Sequence, residues 1–425
     1  MNYIFNYHFA PVGQGLFACG CIYRSNEPDP CFAWVYDCGT TSRKVFVDRA
    51  IDHLEQRFAA RKCLDLVTLS HFDDDHISGV CQLIQRFKIG TLLLPYMELR
   101  QRLILAFENG TSPNDNLMDF FLNPVDYLAN LDGPGIDRIL FVRASGNDGP
   151  ILPEGSVNTP DDSGDFPRLE FKIERPEDSK DYQAFDAAAE QAQSKTRVEF
   201  LRKSTAILLP NLWEFVPYND DPEEKISKEF EAEVKIERDQ LLNSNSKRSR
   251  NNALRRLKRI YDNEFGGSPY KRNVISLFLY SGPIYASWRH TLLGNMWQVR
   301  FHRPMIWRRL WRGMRRLGEK KKCSVLYTGD GYLNRTKRLN RFTDYLQKDR
   351  IDRVGVFQVM HHGAKANWRR GVAAKISPLL SVFSSDPEHK GCGHPHAAVL
   401  RDFWGYGPVQ VDKRTDFTCS GGLIR

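Results

Sequence analysis

Residues Val67–Val80 read VTLSHFDDDHISGV, an apolar run followed by three adjacent carboxylates, Asp73, Asp74 and Asp75, held between His71 and His76. Neighbouring aspartates repel one another and are poor formers of both strand and helix. A chain that places them directly after a strand needs something positive to offset them. A divalent ion does this, because His and Asp are donors for zinc, and for manganese or iron where oxygen shares the coordination. Taken alone, the same residues also suit a solvated loop capping the next helix.

Outward from this stretch the chain alternates short apolar runs with Gly, Pro and Asp punctuation. FAWVYDCGT (32–40) reads as a strand ending in a turn at Asp37–Gly39, and VFVDRAIDHLEQRF (45–58) has helical spacing. CLDLVTLSH (63–71) is a strand, ISGVCQLIQRF (77–87) a helix starting just after His76, and KIGTLLLPY (88–96) a strand. Residues 108–165 are rich in Gly, Pro, Asn and Asp and read as loops and short strands. RLEFKIERP, STAILLPN and NVISLFLYSG read as further strands, and 223–261 as mostly helical. SVLYTGD, RVGVFQVMHHG and LLSVFSSD repeat the opening rhythm near the C-terminus. Such alternation predicts a layered α/β architecture.

Three strand ends then carry the chemistry. LSHFDDDH supplies His71, Asp73, Asp75 and His76; LYTGDG supplies Asp330; QVMHHG supplies His361 and His362. In layered α/β folds ligands bind at that edge of the sheet. GDG alone is an ordinary turn, and HHG alone a strand end; their shared placement sets them apart.

These motifs, in this order, resemble the metallo-β-lactamase fold, and within it the soluble metallo-β-lactamase-like domain of ComEC-type DNA-uptake proteins. LSHFDDDH is similar to the HxHxDH motif, with Asp73 where the second histidine usually stands. VGQG (12–15), VYDCGT, NVISLFL, YTGD, MHHGA, GHPH (393–396) and RTDFTCSGGLI follow the order of that group over most of 5–100 and 270–425. The resemblance implies a four-layer αββα metallo-β-lactamase sandwich with a basic helical insertion. It divides the chain into a first half (1–210), an insertion-rich basic and aromatic region (211–322) around a core strand (273–280), and a second half (323–425). It also implies one or two divalent ions, zinc or manganese. His71 and Asp73 serve one position, Asp75 and His76 the other, with Asp330 bridging and His361, or its neighbour His362, completing the set. Asp37 orients ligands, and His394 lies near the leaving group or a substrate phosphate, so Asp75, His394 and Asp37 are the expected catalytic group. Many members of the fold supply one more histidine before the GD strand; here only His290 and His302 are available.

The net charge of +9 is local. Lys247–Arg272 holds nine Lys/Arg against two acidic residues, and Ser281–Lys322 eleven against one. The second segment also holds four of the eight tryptophans and the run MIWRRLWRGMRRLGEKKK. Arg308, Arg309, Arg312, Trp307 and Trp311 are therefore candidate substrate contacts, since cations neutralise phosphates and rings stack on bases. Binding an anionic membrane surface, docking an acidic protein partner and simple packing with a solvated face are the competing uses. No run of 18 apolar residues predicts a transmembrane span, no signal peptide is legible, and nine cysteines without CxxC pairs suit reduced thiols in the cytoplasm. The expected activity is a metal-dependent phosphodiesterase or nuclease acting on DNA or RNA. The alternatives are a hydrolase of small phosphoesters, cyclic nucleotides or lactones, or a partner-binding module of a bacterial defence system.

Overall fold

The computed structural model describes residues 2–108, 110–111, 116–146, 149–150, 169–176, 179–192, 196–220, 228–242, 246–265, 276–284, 298–300, 322–391 and 393–424. The chain opens with β1 (Asn2–Phe9), β2 (Phe17–Arg24) and β3 (Pro30–Cys38), then α1 (Val45–Arg57), β4 (Cys63–Thr68), the single turn α2 (Asp74–Ile77), α3 (Val80–Arg86) and β5 (Lys88–Pro95). There follow α4 (Leu99–Glu108), α5 (Asn116–Leu122), α6 (Pro124–Ala129), β6 (Arg138–Val142), β7 (Ile173–Glu174), α7 (Lys180–Gln191), β8 (Arg197–Leu201), β9 (Ile207–Leu209) and β10 (Trp213–Asn219). The packed helices α8 (Lys228–Leu242) and α9 (Lys247–Phe265) precede β11 (Leu277–Pro283) and β12 (Gln298–Arg300). The remainder is β13 (Ser324–Tyr327), α10 (Thr336–Ile351), β14 (Val354–Gln358), α11 (Val372–Ile376), β15 (Leu380–Ser384), α12 (Ala397–Phe403), β16 (Pro408–Val411) and β17 (Phe417–Ile424).

Among the described residues these strands make a ten-stranded sheet, β12-β17-β1-β2-β3-β4-β5-β6-β8-β7, and a seven-stranded sheet, β16-β15-β14-β13-β11-β10-β9. Side-chain alternation assigns the layers. On β3, Phe32, Trp34 and Tyr36 face the second sheet, whereas Ala33, Val35 and Cys38 face α1 and α3. Strands buried on both faces read as continuous apolar runs, which is how FAWVY and LLSVF look in the sequence. Between the sheets, Trp34 packs on Trp213 with ring centroids 5.9 Å apart, and Tyr36 stacks on Tyr327 at 4.6 Å. The Tyr36 hydroxyl donates to the Leu277 carbonyl at 2.6 Å, and that of Tyr7 to Cys323 at 2.6 Å, so the layers are also tied by hydrogen bonds. The outer face of the second sheet is covered by α10, α11 and α12 through Leu339, Phe342, Val372 and Phe403. Helix, sheet, sheet, helix: this is a four-layer αββα sandwich.

Two sequence expectations need correction. Residues 116–122 and 124–129 form helices within the region expected to be loops and short strands. Asn123 caps α6 by accepting from the Val125 and Asp126 amides, Pro124 suits the first helical turn, and Phe120 and Phe121 pack against Phe72 beneath the carboxylate run. The helix expected from 77 to 87 is split at Ser78–Gly79. A Cβ at Gly79 would lie 2.7 Å from Val47 and 2.8 Å from the Cys38 sulfur, and the Gly79 amide donates to the Cys38 carbonyl at 2.8 Å. Contact with β3 thus overrides helical continuity. Of the strand expected over 273–280, β11 occupies the later part, and 273–275 lie outside the described residues. Eight cysteines are free among the described residues, and no helix there is long and apolar enough to cross a membrane.

Candidate metal centre

β3 and β4 run parallel in one sheet, and β13, β14 and β15 run parallel in the other. Their C-terminal ends open on the same side, so the loops after them meet. The loop after β4 brings His71, Asp73, Asp75 and His76, that after β13 brings Asp330, and that after β14 brings His361 and His362. Gly39, after β3, admits α2: a Cβ there would lie 2.5 Å from the His76 backbone. The Asp75 carbonyl is held by the Leu16 amide at 2.9 Å, next to the VGQG turn. Asp37, His361 and His362 all adopt positive φ (57°, 45° and 55°), a conformation costly for non-glycine residues that persists where surroundings impose it.

Donor atoms of Asp75, His76, Asp330 and His362 lie within 4.8 Å of one another, as do those of His71, Asp73 and Asp75. The two groups share Asp75. His76 Nε2 is 3.0 Å from Asp330 Oδ1 and 3.9 Å from Asp75 Oδ2; His362 Nε2 is 3.0 Å from Asp75 Oδ2 and 3.7 Å from Asp330 Oδ1. His71 Nε2 is 3.6 Å from Asp73 and 3.8 Å from Asp330. His361, at the rim, places Nδ1 3.5 Å from Asp330, while the buried imidazole of the pair is His362. Asp74 is exposed and stands outside both groups.

Proton placement decides what this cluster accepts. His76 Nδ1 faces the Asp37 carboxylate at 2.7 Å, an acceptor only, so Nδ1 carries the proton and Nε2 a lone pair. His362 Nδ1 faces the Ser384 carbonyl, with the same result. Ser70 donates its hydroxyl to Asp37 at 2.7 Å and its amide at 2.6 Å, leaving its oxygen to accept from His71 Nδ1 at 2.8 Å. His71 therefore also turns a lone pair inward, on an Nε2 that is buried and without a hydrogen-bond partner. Three imidazole lone pairs and three carboxylates face one space, and none of them brings a donor. Only protons or a cation reconcile them, and the donor set suits a divalent metal.

Without an ion the carboxylates draw protons instead. Burial opposes charge on His76, but Asp330, Asp75 and Asp37 outweigh it and hold its pKa well above the ordinary value. Burial likewise opposes charge on His362, and Asp330 and Asp75 raise it. Asp330 is held well below the carboxylate range because His361, His76 and His362 outweigh its burial. His71, by contrast, is pushed down to about 4 by burial and by His76. A buried neutral imidazole aimed at carboxylates fits a ligand better than a structural cation.

His394 follows the second-sheet loops. Its ring lies 5.6 Å from His361 and 6.3 Å from His362, its Nδ1 is buried without a partner, and burial followed by His362 and His361 lowers its pKa to about 4. Trp307, Arg308, Arg309, Trp311 and Arg312 lie outside the described residues, as do His290 and His302. Sequence reasoning missed Ser70, Ser276, Asn367 and Ser384. The Ser276 hydroxyl lies 3.2 Å from the Asp330 amide, and Asn367 donates to the Asp330 carbonyl at 2.6 Å. Only Ser70 had a legible cue, its place directly before His71.

No family model matches this chain, and no match was found among curated proteins. Among solved structures, a long form RNase Z from yeast is similar at 8% identity over 83% of this chain and 32% of that one, with a TM-score of 0.28. This chain thus spans about a third of that protein's length, and a likeness of this size decides neither activity nor substrate. The class is set by the protein's own architecture: an αββα sandwich whose sheet edge carries a His/Asp cluster able to hold metal ions.

Proposed function

We propose that the protein is a metal-dependent hydrolase, a phosphodiesterase or nuclease acting on DNA or RNA. The observation that carries the reading is the convergence of three inward lone pairs, on His71, His76 and His362, with the carboxylates of Asp73, Asp75 and Asp330. His71, Asp73 and Asp75 would hold one ion, and Asp75, His76, Asp330 and His362 a second; zinc and manganese suit this mixture. When bound, such ions supply Lewis acidity, polarising a phosphoryl oxygen and making water acidic enough to attack near neutral pH.

The protein's own groups do the rest. Asp37 holds the His76 proton on Nδ1, and Ser70 transmits the same constraint to His71, so both imidazoles stay oriented. His394, neutral at physiological pH, offers an N–H to a substrate oxygen and steadies charge developing there. Support for a polynucleotide comes from the motif order shared with ComEC-type domains and from the two cationic segments. Hydrolysis of a small phosphoester or lactone uses the same centre, since fold alone does not choose a substrate.

The test is hydrolysis of bis(p-nitrophenyl) phosphate, single-stranded DNA and RNA by purified protein with Mn²⁺ or Zn²⁺. Cleavage that disappears in the Asp75→Ala/His76→Ala variant and with chelator is expected. Equal cleavage by that variant rejects the site. Hydrolysis of the small diester with no cleavage of either polymer rejects the nuclease.

A further inference from the structure

α12 begins at the rim of the metal centre and leads away from it. Its cap residue His396 sits 5.0 Å, ring to ring, from His394, and receives the Lys365 amide on Nδ1 at 3.2 Å. The segment Lys365–Gly371, which follows His361–His362 directly, runs alongside this helix. It is pinned at the far end by Asp402, whose carboxylate accepts from Trp368 Nε1 at 3.0 Å and from the amides of Gly371 and Ala373 at 3.2 and 3.3 Å. Segment and helix together carry four cations: Lys365, Arg369 and Arg370 on the segment, and Arg401 on the helix. None of them pairs with a carboxylate among the described residues, whereas Arg138 and Lys413 elsewhere do, with Glu199 and with Asp386 and Glu388. Asp402, the nearest acid in sequence to Arg401, is occupied by the three donors just named.

Trp404 ends the strip. It is 72% exposed, the most exposed large hydrophobic side chain among the described residues. Its backbone stays helical, so Ala397, Arg401 and Trp404 share one stripe at i, i+4 and i+7. At 1.5 Å per residue, Trp404 stands about 12 Å along the axis from His396. An exposed indole normally carries a cost in water; placed beyond unpaired cations beside a hydrolytic centre, it matches the ring-and-cation composition that holds unpaired bases and their phosphates.

We propose that this strip binds single-stranded polynucleotide on one side of the scissile phosphodiester, with Trp404 stacking a base and Lys365, Arg369, Arg370 and Arg401 neutralising phosphates. The inference rests on reading the metal centre as a phosphodiesterase and adds to it where, and in which form, the polymer lies. A duplex hides its base faces, so Trp404 selects the single strand.

The experiment is fluorescence anisotropy of a labelled oligo(dT) with the full chain in chelator, titrated with salt. Trp404→Ala is expected to weaken binding about 10-fold and Trp404→Phe to restore most of it. Arg369→Gln/Arg370→Gln/Arg401→Gln should lower the slope of log affinity against log salt by about 2, near 0.7 per lost phosphate contact. Wild-type affinity and slope in these variants, no oligo(dT) binding by the wild type, or equal dependence on Trp404 for duplex each overturn the proposal. Displacement by polyglutamate as effective as by oligo(dT), without dependence on Trp404, also overturns it, in favour of an acidic protein. Wild-type hydrolysis of bis(p-nitrophenyl) phosphate, a diester too small to span the strip, is scored separately. If neither it nor DNA nor RNA is cleaved while the anisotropy results hold, the hydrolase reading falls and the strip stands; in the reverse case the strip falls alone.

Discussion

Replacing Asp37 by Asn tests the proton placement on His76. Asp37 is fully buried and accepts three short hydrogen bonds, from the Ser70 amide (2.6 Å), the Ser70 hydroxyl (2.7 Å) and His76 Nδ1 (2.7 Å). Asn has the same shape and tolerates the positive φ of 57°. Its amide oxygen must stay opposite the Ser70 amide, which can only donate, so the NH₂ falls where the other carboxylate oxygen was. His76 then has to accept on Nδ1, and its proton moves to Nε2. In the metal-free protein, where Asp330 and Asp75 keep His76 charged, Nε2–H already faces Asp330 at 3.0 Å, so the variant loses the charge-assisted bond to Asp37 and unfolding free energy measured in chelator should fall by about 1.5–3 kcal/mol. Metal binding loses the lone pair that His76 contributes. An orienting partner of this kind is worth about 10- to 100-fold in affinity, or about 1.4–2.7 kcal/mol. Titration calorimetry with Zn²⁺ or Mn²⁺, beside urea unfolding in chelator, reads the two effects separately. A D37N affinity within about twofold of wild type refutes the proton assignment; a stability loss in chelator well beyond about 3 kcal/mol would instead mean general damage to the loop.

Three further outcomes follow from the same contacts. Ser70→Ala removes the acceptor for His71 Nδ1 and should weaken the His71–Asp73 position about 10-fold in a stepwise metal titration, while the His76–His362 position changes little; equal weakening of both steps contradicts the relay. Arg350 grips Glu214 through two hydrogen bonds (3.1 and 2.8 Å) with side chains only 8% and 4% exposed, so Arg350→Met should cost about 3–5 kcal/mol of unfolding free energy, and Arg350→Met/Glu214→Leu should recover most of it. A loss below about 1 kcal/mol in the single variant would show that Glu214 finds water. His8, beside Thr418, Asp416, Arg57 and His53, is lowered from 6.5 to about 4, burial outweighing Asp416. The folded state therefore binds fewer protons than the unfolded chain in this window, and the stability contribution, complete above pH 6.5, is lost as pH falls toward 4. His8→Gln should flatten the fall of unfolding free energy between pH 6.5 and 4.5 by up to about 1.4 kcal/mol per unit in chelator; unchanged slopes would mean that His8 is charged when folded.

Local chemistry made the layered α/β class and the chemical identity of the cluster legible in the sequence. FAWVY, LVTLS and VLY are apolar runs long enough for buried strands and too short for helices, and each ends at polar residues where a sheet edge must be. Three adjacent aspartates between histidines carry their electrostatic problem in the sequence itself. The helices at 116–129 were not legible, because they are held by packing on Phe72 and by the Asn123 cap rather than by composition. The break at Gly79 depends on how closely α2 and α3 approach β3.

What only the tertiary structure decided is direction. Which nitrogen of each imidazole faces inward depends on Asp37, Ser70 and Ser384, which come from three different strand ends in the two sheets. That His362 is buried among the carboxylates while His361 stands at the rim follows from backbone turns that no spacing rule anticipates. The unpaired cations leading to Trp404 become a strip only when Asp402 draws the segment after the paired histidines along α12. Residue type and period are properties of neighbours in the chain, whereas proton placement and surface continuity arise between residues that folding alone brings together.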